Sequence, residues 1–467
     1  MSKKEKSGLL ARYEFMLEHD ESCYFDTDEW EEIAYQYEID DKYQEALEAI
    51  NRGLSMHPGN IALNIKKSRY LMSLDNIDEA EELIYSIPHD SEDAVLIRAE
   101  LCFIKAKPEE AVRLLHGLLK SDEISVELCF EIMDMYIDFG YFEDLVTFIY
   151  EADKVLSDGS ELLRELALMY EDRQELDKAE ELYNLLIDRN PYSAVDWFNL
   201  AKINAINKEY EKAIDACDFA LTVNDGDENI LSFKGYCLYD LGEYEKAIEV
   251  FDEYARISDE KAVAYELMSE CYVKLLHYDI GIEYLKKALE YSPDNTNLYY
   301  QLATDYYDIG NREKAFECLL KAIKLEPNDA DALSFMGEIL IDENKLEQAE
   351  SFLRKSIEID ATNAEAFVLL GDIMVREEKY EESVSCYEKA RKITPYDVKL
   401  IFKLTLSYYN IGAQDKAEEL IKYLEESTSH IDEIPDIPEE NKSELLETKE
   451  MLEQLREILK NNLGENL

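Results

Sequence analysis

The chain has 467 residues, 46% hydrophobic and 11% aromatic, which is enough apolar material to exclude global disorder in spite of the charge. Lys and Arg number 49 against 106 Asp and Glu, and the resulting net charge of -57 repels phosphate backbones and anionic bilayers. Nucleic acid and membrane surfaces are therefore not expected partners; basic proteins are, unless the charge only solvates the surface.

In chain order, residues 1–26 read as a helical lead-in. Met1 to Lys6 is basic, but Gly8 to Ala11 is apolar for only four residues before Arg12 and Glu14, which does not make a secretory leader. Leu9 to Leu17 then reads as one short amphipathic helix that could cover whatever follows. No run of 18 apolar residues occurs, so no membrane span is expected. The eight cysteines include no C-x-x-C pair, and Cys102, Cys129, Cys217, Cys237, Cys271, Cys318 and Cys386 fall in predicted helices, where a free thiol packs as a small hydrophobe. That usage fits a reducing cytoplasm.

From Thr27 onward a small residue returns at a fixed step of 34. Ala46 and Ala80 are one such pair; Ala179, Ala213, Ala247, Gly281, Ala315, Ala349, Ser383 and Ala417 continue it. A period of this length marks a repeat array in which each unit packs on its neighbours. Within 194–227, Trp197, Leu200, Ala201 and Asn204 share one helical face, and Tyr210, Ala213, Cys217 and Ala220 share a second, with Asn207 and Lys208 at the turn between. Twelve such units start at Thr27, Ile61, Glu92, Val126, Ser160, Ala194, Glu228, Ala262, Thr296, Ala330, Ala364 and Val398. The eighth and twentieth positions are small, which lets paired helices approach closely. Pro58, Pro191, Pro293, Pro327 and Pro395 close second helices, and acids such as Glu45, Glu211, Glu245, Glu313 and Glu347 open them, where the helix dipole favours negative charge. Two bulky entries, Met133 and Leu145, break the small columns within the unit that starts at Val126, and further upstream the unit that starts at Ile61 is three residues short and carries Pro88. The stretch 92–159 is therefore an expected seam, either a change of curvature or a local repacking.

With an aromatic or large residue fourth, a small one eighth, an aromatic eleventh and alanine twentieth, the chain resembles the tetratricopeptide-repeat family over 27–427. The resemblance implies an all-α solenoid, a right-handed superhelix of about twelve helical hairpins with a C-terminal capping helix. Residues 428–441 lose the periodicity, carry Pro435 and Pro438 among acids, and read as a linker. In 442–467, Leu445, Leu452, Leu455 and Leu459 line one face of the capping helix; the heptad run is too short for a coiled-coil dimer.

No phosphate-binding loop, G-x-S-x-G, H-E-x-x-H or EF-hand pattern is present, and the six histidines are scattered over separate units. No cofactor and no metal are expected. What remains is a surface. In this family the second, fifth, ninth and twelfth positions of the first helices face the groove. The resemblance therefore implies a partner-binding face carrying Phe130, Phe198, Tyr236, Tyr239, Tyr300, Tyr307, Phe402 and Tyr409, to which Phe335 beside a fifth position is added, rimmed by the acids Asp134, Glu270, Glu338 and Asp372. The competing expectation is that neighbouring first helices bury this stripe against each other. The family's carboxylate clamp does not match: the fifth positions hold one base, Arg164, and the ninth hold Arg69 and Lys202 without asparagine. Residues 1–26 are too few for a DNA-binding helix-turn-helix. The expected function is a non-enzymatic cytoplasmic adaptor for a protein or peptide segment with apolar anchors or basic charge. Two alternatives stay open: an acidic chaperone or inhibitor that sequesters a basic protein by charge, and an enzyme with its site in the 92–159 seam.

Overall fold

The computed structural model describes residues 8–19, 23–87, 91–120, 124–429 and Glu453, and it is all-α. Its helices fall into two compact units, one ending at Val223 and the other starting at Asn224. The first unit opens with α1 (Gly8–His19) and continues with α2 (Thr27–Glu38), α3 (Tyr43–Met56), α4 (Ile61–Ser73), α5 (Ile77–Ser86), α6 (Glu92–Ile104), α7 (Pro108–Leu118), α8 (Val126–Phe139), α9 (Phe142–Val155), α10 (Ser160–Asp172), α11 (Leu176–Arg189), α12 (Ala194–Ile206) and α13 (Tyr210–Val223). The second holds α14 (Glu228–Leu241), α15 (Tyr244–Ile257), α16 (Lys261–Lys274), α17 (Tyr278–Tyr291), α18 (Thr296–Asp308), α19 (Arg312–Leu325), α20 (Ala330–Asp342), α21 (Leu346–Ile359), α22 (Ala364–Arg376), α23 (Tyr380–Ile393), α24 (Val398–Asn410) and α25 (Gln414–Ser429). Each even-numbered helix pairs with the next odd one as a hairpin.

Local chemistry fixes the start of nine of the twelve first helices and the end of all twelve. Side chains of Asp26, Asn60, Ser125, Ser193, Asp227, Asn295, Asp329, Asn363 and Asp397 accept backbone N–H bonds at those nine starts, and Asp26 and Glu29 close a reciprocal capping box. At the end of the first helix, the fifteenth residue of every unit takes a left-handed conformation. It is glycine at 140, 242, 310 and 412, and a non-glycine at Asp41, Asp75, Ala106, Gln174, Lys208, Leu276, Asn344 and Glu378. The next N–H then reaches back to the carbonyl five residues earlier, from Lys42 to Tyr37 (3.0 Å) through Ala413 to Tyr408 (2.9 Å). This Schellman geometry satisfies carbonyls that the helix end would otherwise leave unpaired.

The small columns do what their spacing requires. A Cβ on Gly235, Gly337 or Gly371 would overlap the side chain of Phe251, Leu353 or Tyr387 on the partner helix. Ala46, Ala80, Ala111, Ala179, Ala213, Ala247, Ala315 and Ala349 are wholly buried. In the seam both bulky entries, Met133 and Leu145, are buried, and α8 and α9 come together along less of their length than any other hairpin pair. That is the steric result of filling two small positions with large side chains.

The short repeat at 61–91 has a specific explanation. Arg98, buried in α6, donates to the carbonyls of Ile84 (3.0 Å) and Ile87 (2.6 Å) at the end of α5. A buried guanidinium thus satisfies the carbonyls that a full-length helix would have paired. At the start of the chain, Leu10, Tyr13 and Met16 of α1 join the core of the first hairpins, with Tyr13 edge-on to Trp30 at 5.5 Å. At the other end α25 runs to Ser429; apart from Glu453, the capping helix expected over 442–467 and the rest of the expected linker lie outside the described residues.

Candidate partner-binding face

The first helices present the residues that the sequence singles out. In the first unit these are Phe130 and Asp134 on α8 and Phe198 on α12; Phe130 and Phe198 are half-buried and Asp134 is exposed. The ammonium of Lys202 sits 4.5 Å from the centre of the Phe198 ring and donates to Asn199 Oδ1 at 3.2 Å. Arg164, the base at a fifth position, is committed to a two-pronged ion pair with Asp196 (2.7 and 3.0 Å) that ties α10 to α12.

In the second unit the candidates converge more closely. Tyr300 and Tyr307 of α18 both meet the ring of Phe335 on α20, at 5.6 and 5.4 Å. The Tyr307 hydroxyl donates to Asp342 (2.9 Å), lies 3.3 Å from Glu338, and is flanked by the Arg312 guanidinium, which also binds Asp342. Tyr239 of α14 and Glu270 of α16 line one cavity together. Tyr236 is exposed, and Phe402 and Tyr409 of α24 are half-buried. Asp372 is not a free rim acid: it accepts from the Tyr387 hydroxyl (2.6 Å) and pairs with Lys403 (2.7 Å). All nine candidate aromatics keep some exposure, so first-helix packing covers the stripe in part and leaves a half-desolvated face.

Burial shapes the acids on this face. Desolvation is the main cause raising the carboxyls of Glu31, Glu100, Glu270, Asp305 and Glu338 above their usual range, and it pushes Asp305 up to about 7. All five sit on first helices. The carboxyls held below their usual range, Glu81, Asp158, Glu175, Glu283 and Asp360, sit on second helices or in loops, and hydrogen bonds are the leading cause for each. Burial likewise raises the Tyr239 hydroxyl to about 12, with Glu270 the next cause. Among the described residues only one raised carboxyl, Glu100, falls in 92–159, so the raised acids seen are spread along the first helices and not gathered at the seam.

Sequence reasoning missed Asp305, Gln301, Glu266 and Asp342. Glu266 accepts from Asn297 (3.0 Å) and Gln301 (2.8 Å), linking α16 to α18. Asp305 had a signal. The tenth position of the twelve units reads Gln36, Tyr70, Leu101, Met135, Met169, Ile203, Cys237, Cys271, Asp305, Ile339, Ile373 and Ser407, a mostly buried column with one charge in it. Among the described residues no group of three or more His, Cys, Asp or Glu is placed to hold a metal, and no described helix is long and apolar enough to cross a membrane.

Residues 282–423 match the model of the tetratricopeptide repeat protein 21 C-terminal ARM domain, and 206–288 match that of anaphase-promoting complex, cyclosome, subunit 3. The chain is a tetratricopeptide-repeat protein. Among solved structures, this tetratricopeptide array is similar to the C-terminal part of a TPR repeat-containing protein from Cytophaga hutchinsonii, at 16% identity and TM-score 0.44, over 51% of this chain and 98% of that one. It is also similar to a tetratricopeptide repeat protein from Parabacteroides merdae ATCC 43184 (20% identity, TM-score 0.41, 53% and 98%). A third is YrrB, described as a TPR protein with an unusual peptide-binding site (22% identity, TM-score 0.33, 39% and 95%). No curated protein matches the chain.

Proposed function

We propose that this chain is a non-enzymatic interaction scaffold, working in the cytoplasm, that holds a segment of a partner protein along its first-helix face. Proteins of this repeat class mediate protein–protein interactions. The observation that supports the reading is the coincidence, on first helices alone, of half-buried aromatics with carboxyls raised by desolvation. Such a face gains by covering its rings and by receiving cations that relieve its partly buried acids. The partner segment it fits is extended or helical, with apolar anchors and basic residues between them. Nucleic acid and anionic membranes are not partners of a chain with net charge -57.

The test is capture of partners from native lysate at low and moderate salt, in parallel with a Phe198→Ala, Tyr300→Ala, Phe402→Ala bait. Captured partners are then mapped to the responsible segment with overlapping peptides. Binding that survives salt and disappears with the triple variant supports the aromatic face. Binding that disappears with salt and ignores the variant replaces it with the charge-driven alternative, an acidic chaperone or inhibitor of a basic protein.

A further inference from the structure

One cavity of the second unit combines features that the aromatic stripe does not explain. It has a volume of about 190 Å³ and lies among α14, α16, α17 and α18. Asp305 lines it while keeping 7% of its exposure, and its Oδ2 has no hydrogen-bond partner. Gln301 spends its amide N–H on Glu266 and leaves its own buried Oε1 without a donor on the same wall. Glu270 lines the opposite helix, α16, with the apolar side chains of Val273 and Leu285 and the Tyr239 ring nearby. Buried acceptors in folded proteins nearly always find donors, so two orphan oxygens on residues that line one cavity point to a donor that the chain itself does not supply. The one ammonium on the cavity wall, Lys274, is exposed and does not reach Asp305 Oδ2.

We infer that this cavity receives the ammonium of a lysine side chain carried by the bound partner, with Asp305 and Gln301 as direct acceptors and Glu270 as the second carboxylate. An ammonium has three N–H donors and carries one charge, and the three groups here are acceptors. The apolar wall suits the methylene stem of the side chain, and the tyrosine face suits the cation. A metal ion fits less well, because two carboxylates and one amide oxygen do not make a full shell of oxygen ligands. Raised by burial, the Asp305 carboxyl is drawn back to its charged form by an entering cation.

The inference rests on the partner-binding reading only for what carries the lysine; the site can be probed with no partner at all. The full chain is titrated with N-acetyl-lysine methylamide and with its uncharged isostere N-acetyl-norleucine methylamide. Binding is read by ligand-observed NMR in enough salt to screen the general negative field. The expected result is one saturable site for the lysine probe, weakened about tenfold or more by Asp305→Asn and by the norleucine substitution. Lys274→Met, which removes the competing cation, tightens it. Circular dichroism reports whether Asp305→Asn remains folded, and Gln301→Met supplies a second variant with the same expected loss. Equal binding of the two probes, or lysine binding unchanged in folded Asp305→Asn and Gln301→Met, overturns the site. A lost probe site with partner capture still sensitive to the aromatic triple variant removes this cavity and leaves the scaffold reading. A working probe site with capture indifferent to those aromatics does the reverse.

Discussion

Asp305 makes the most direct claim at the scale of one residue. Its carboxyl titrates near 7 in the fold, held there first by burial and then by Asp308, against an ordinary value of 3.8. The folded state therefore binds the proton more tightly than the unfolded chain. Stability from this group is fully present below the ordinary value and is lost as pH rises through about 7. Replacement by the neutral isostere removes that loss. Asp305→Asn is expected to match the parent at pH 4 and to exceed it by about 2–4 kcal/mol at pH 8, measured by urea unfolding at each pH. A constant difference between the two proteins across that range would mean that the carboxylate is solvated. Arg98 makes the opposite claim. Its guanidinium is the donor for the carbonyls of Ile84 and Ile87, so Arg98→Met leaves them buried and unpaired and is expected to cost about 2–4 kcal/mol. A cost below about 0.5 kcal/mol in the same unfolding assay would show that the short helix does not depend on this cap.

At the scale of the helix, the array follows from two steric rules and one backbone rule, which differ in how far the sequence displays them. The small columns were legible because each is enforced by a contact. A Cβ at Gly371 would collide with the Tyr387 ring, while a Cβ at Gly117, on the exposed side of α7, would meet nothing within 4 Å. Gly371→Ala is thus expected to destabilise by about 1–3 kcal/mol and Gly117→Ala to stabilise by about 0.5–1 kcal/mol, a pair of opposite signs that thermal melts can read directly. The left-handed residue that ends every first helix was not legible, because eight of the twelve positions are not glycine and only three of those eight are Asp or Asn. There the hydrogen-bonding demand of the helix end overrides residue preference. Leu276 is the extreme case, an exposed leucine at φ 61°, and Leu276→Gly is expected to stabilise by about 0.5–1 kcal/mol even after the entropy glycine adds to the unfolded chain. The candidate face was half legible. Family positions picked out Tyr300, Tyr307 and Glu338, which meet around Phe335, and also Asp372, which its own fold occupies with Lys403 and Tyr387. They passed over Asp305, because the tenth position is buried in most other units and a search restricted to groove positions does not test it.

At the scale of the whole chain, the excess of acids over bases is the dominant long-range force. Some of the lysines and arginines are already committed to local pairs two to four residues apart, such as Lys178 with Glu175, Lys212 with Glu209 and Arg354 with Glu350. Exposed pairs of this kind contribute little, about 0–1 kcal/mol each. The uncompensated charge, -57 in total, acts against the compact state in every unit at once. Salt screens both effects, but it weakens a few small attractions and a large sum of repulsions. The melting temperature is therefore expected to rise by several degrees between about 0.02 and 0.5 M sodium chloride, where the Debye length falls from roughly 20 to 4 Å. Chloride is a suitable salt because it is not strongly excluded from apolar surface, unlike sulfate, which would stabilise by a different route. A melting temperature that falls with added chloride would mean that the surface pairs outweigh the net charge. A basic partner spread along the first-helix face would stabilise the chain by the same relief of repulsion, and that gain would shrink as salt does the work first. The salt series on the free chain thus supplies the baseline against which any partner's contribution is read.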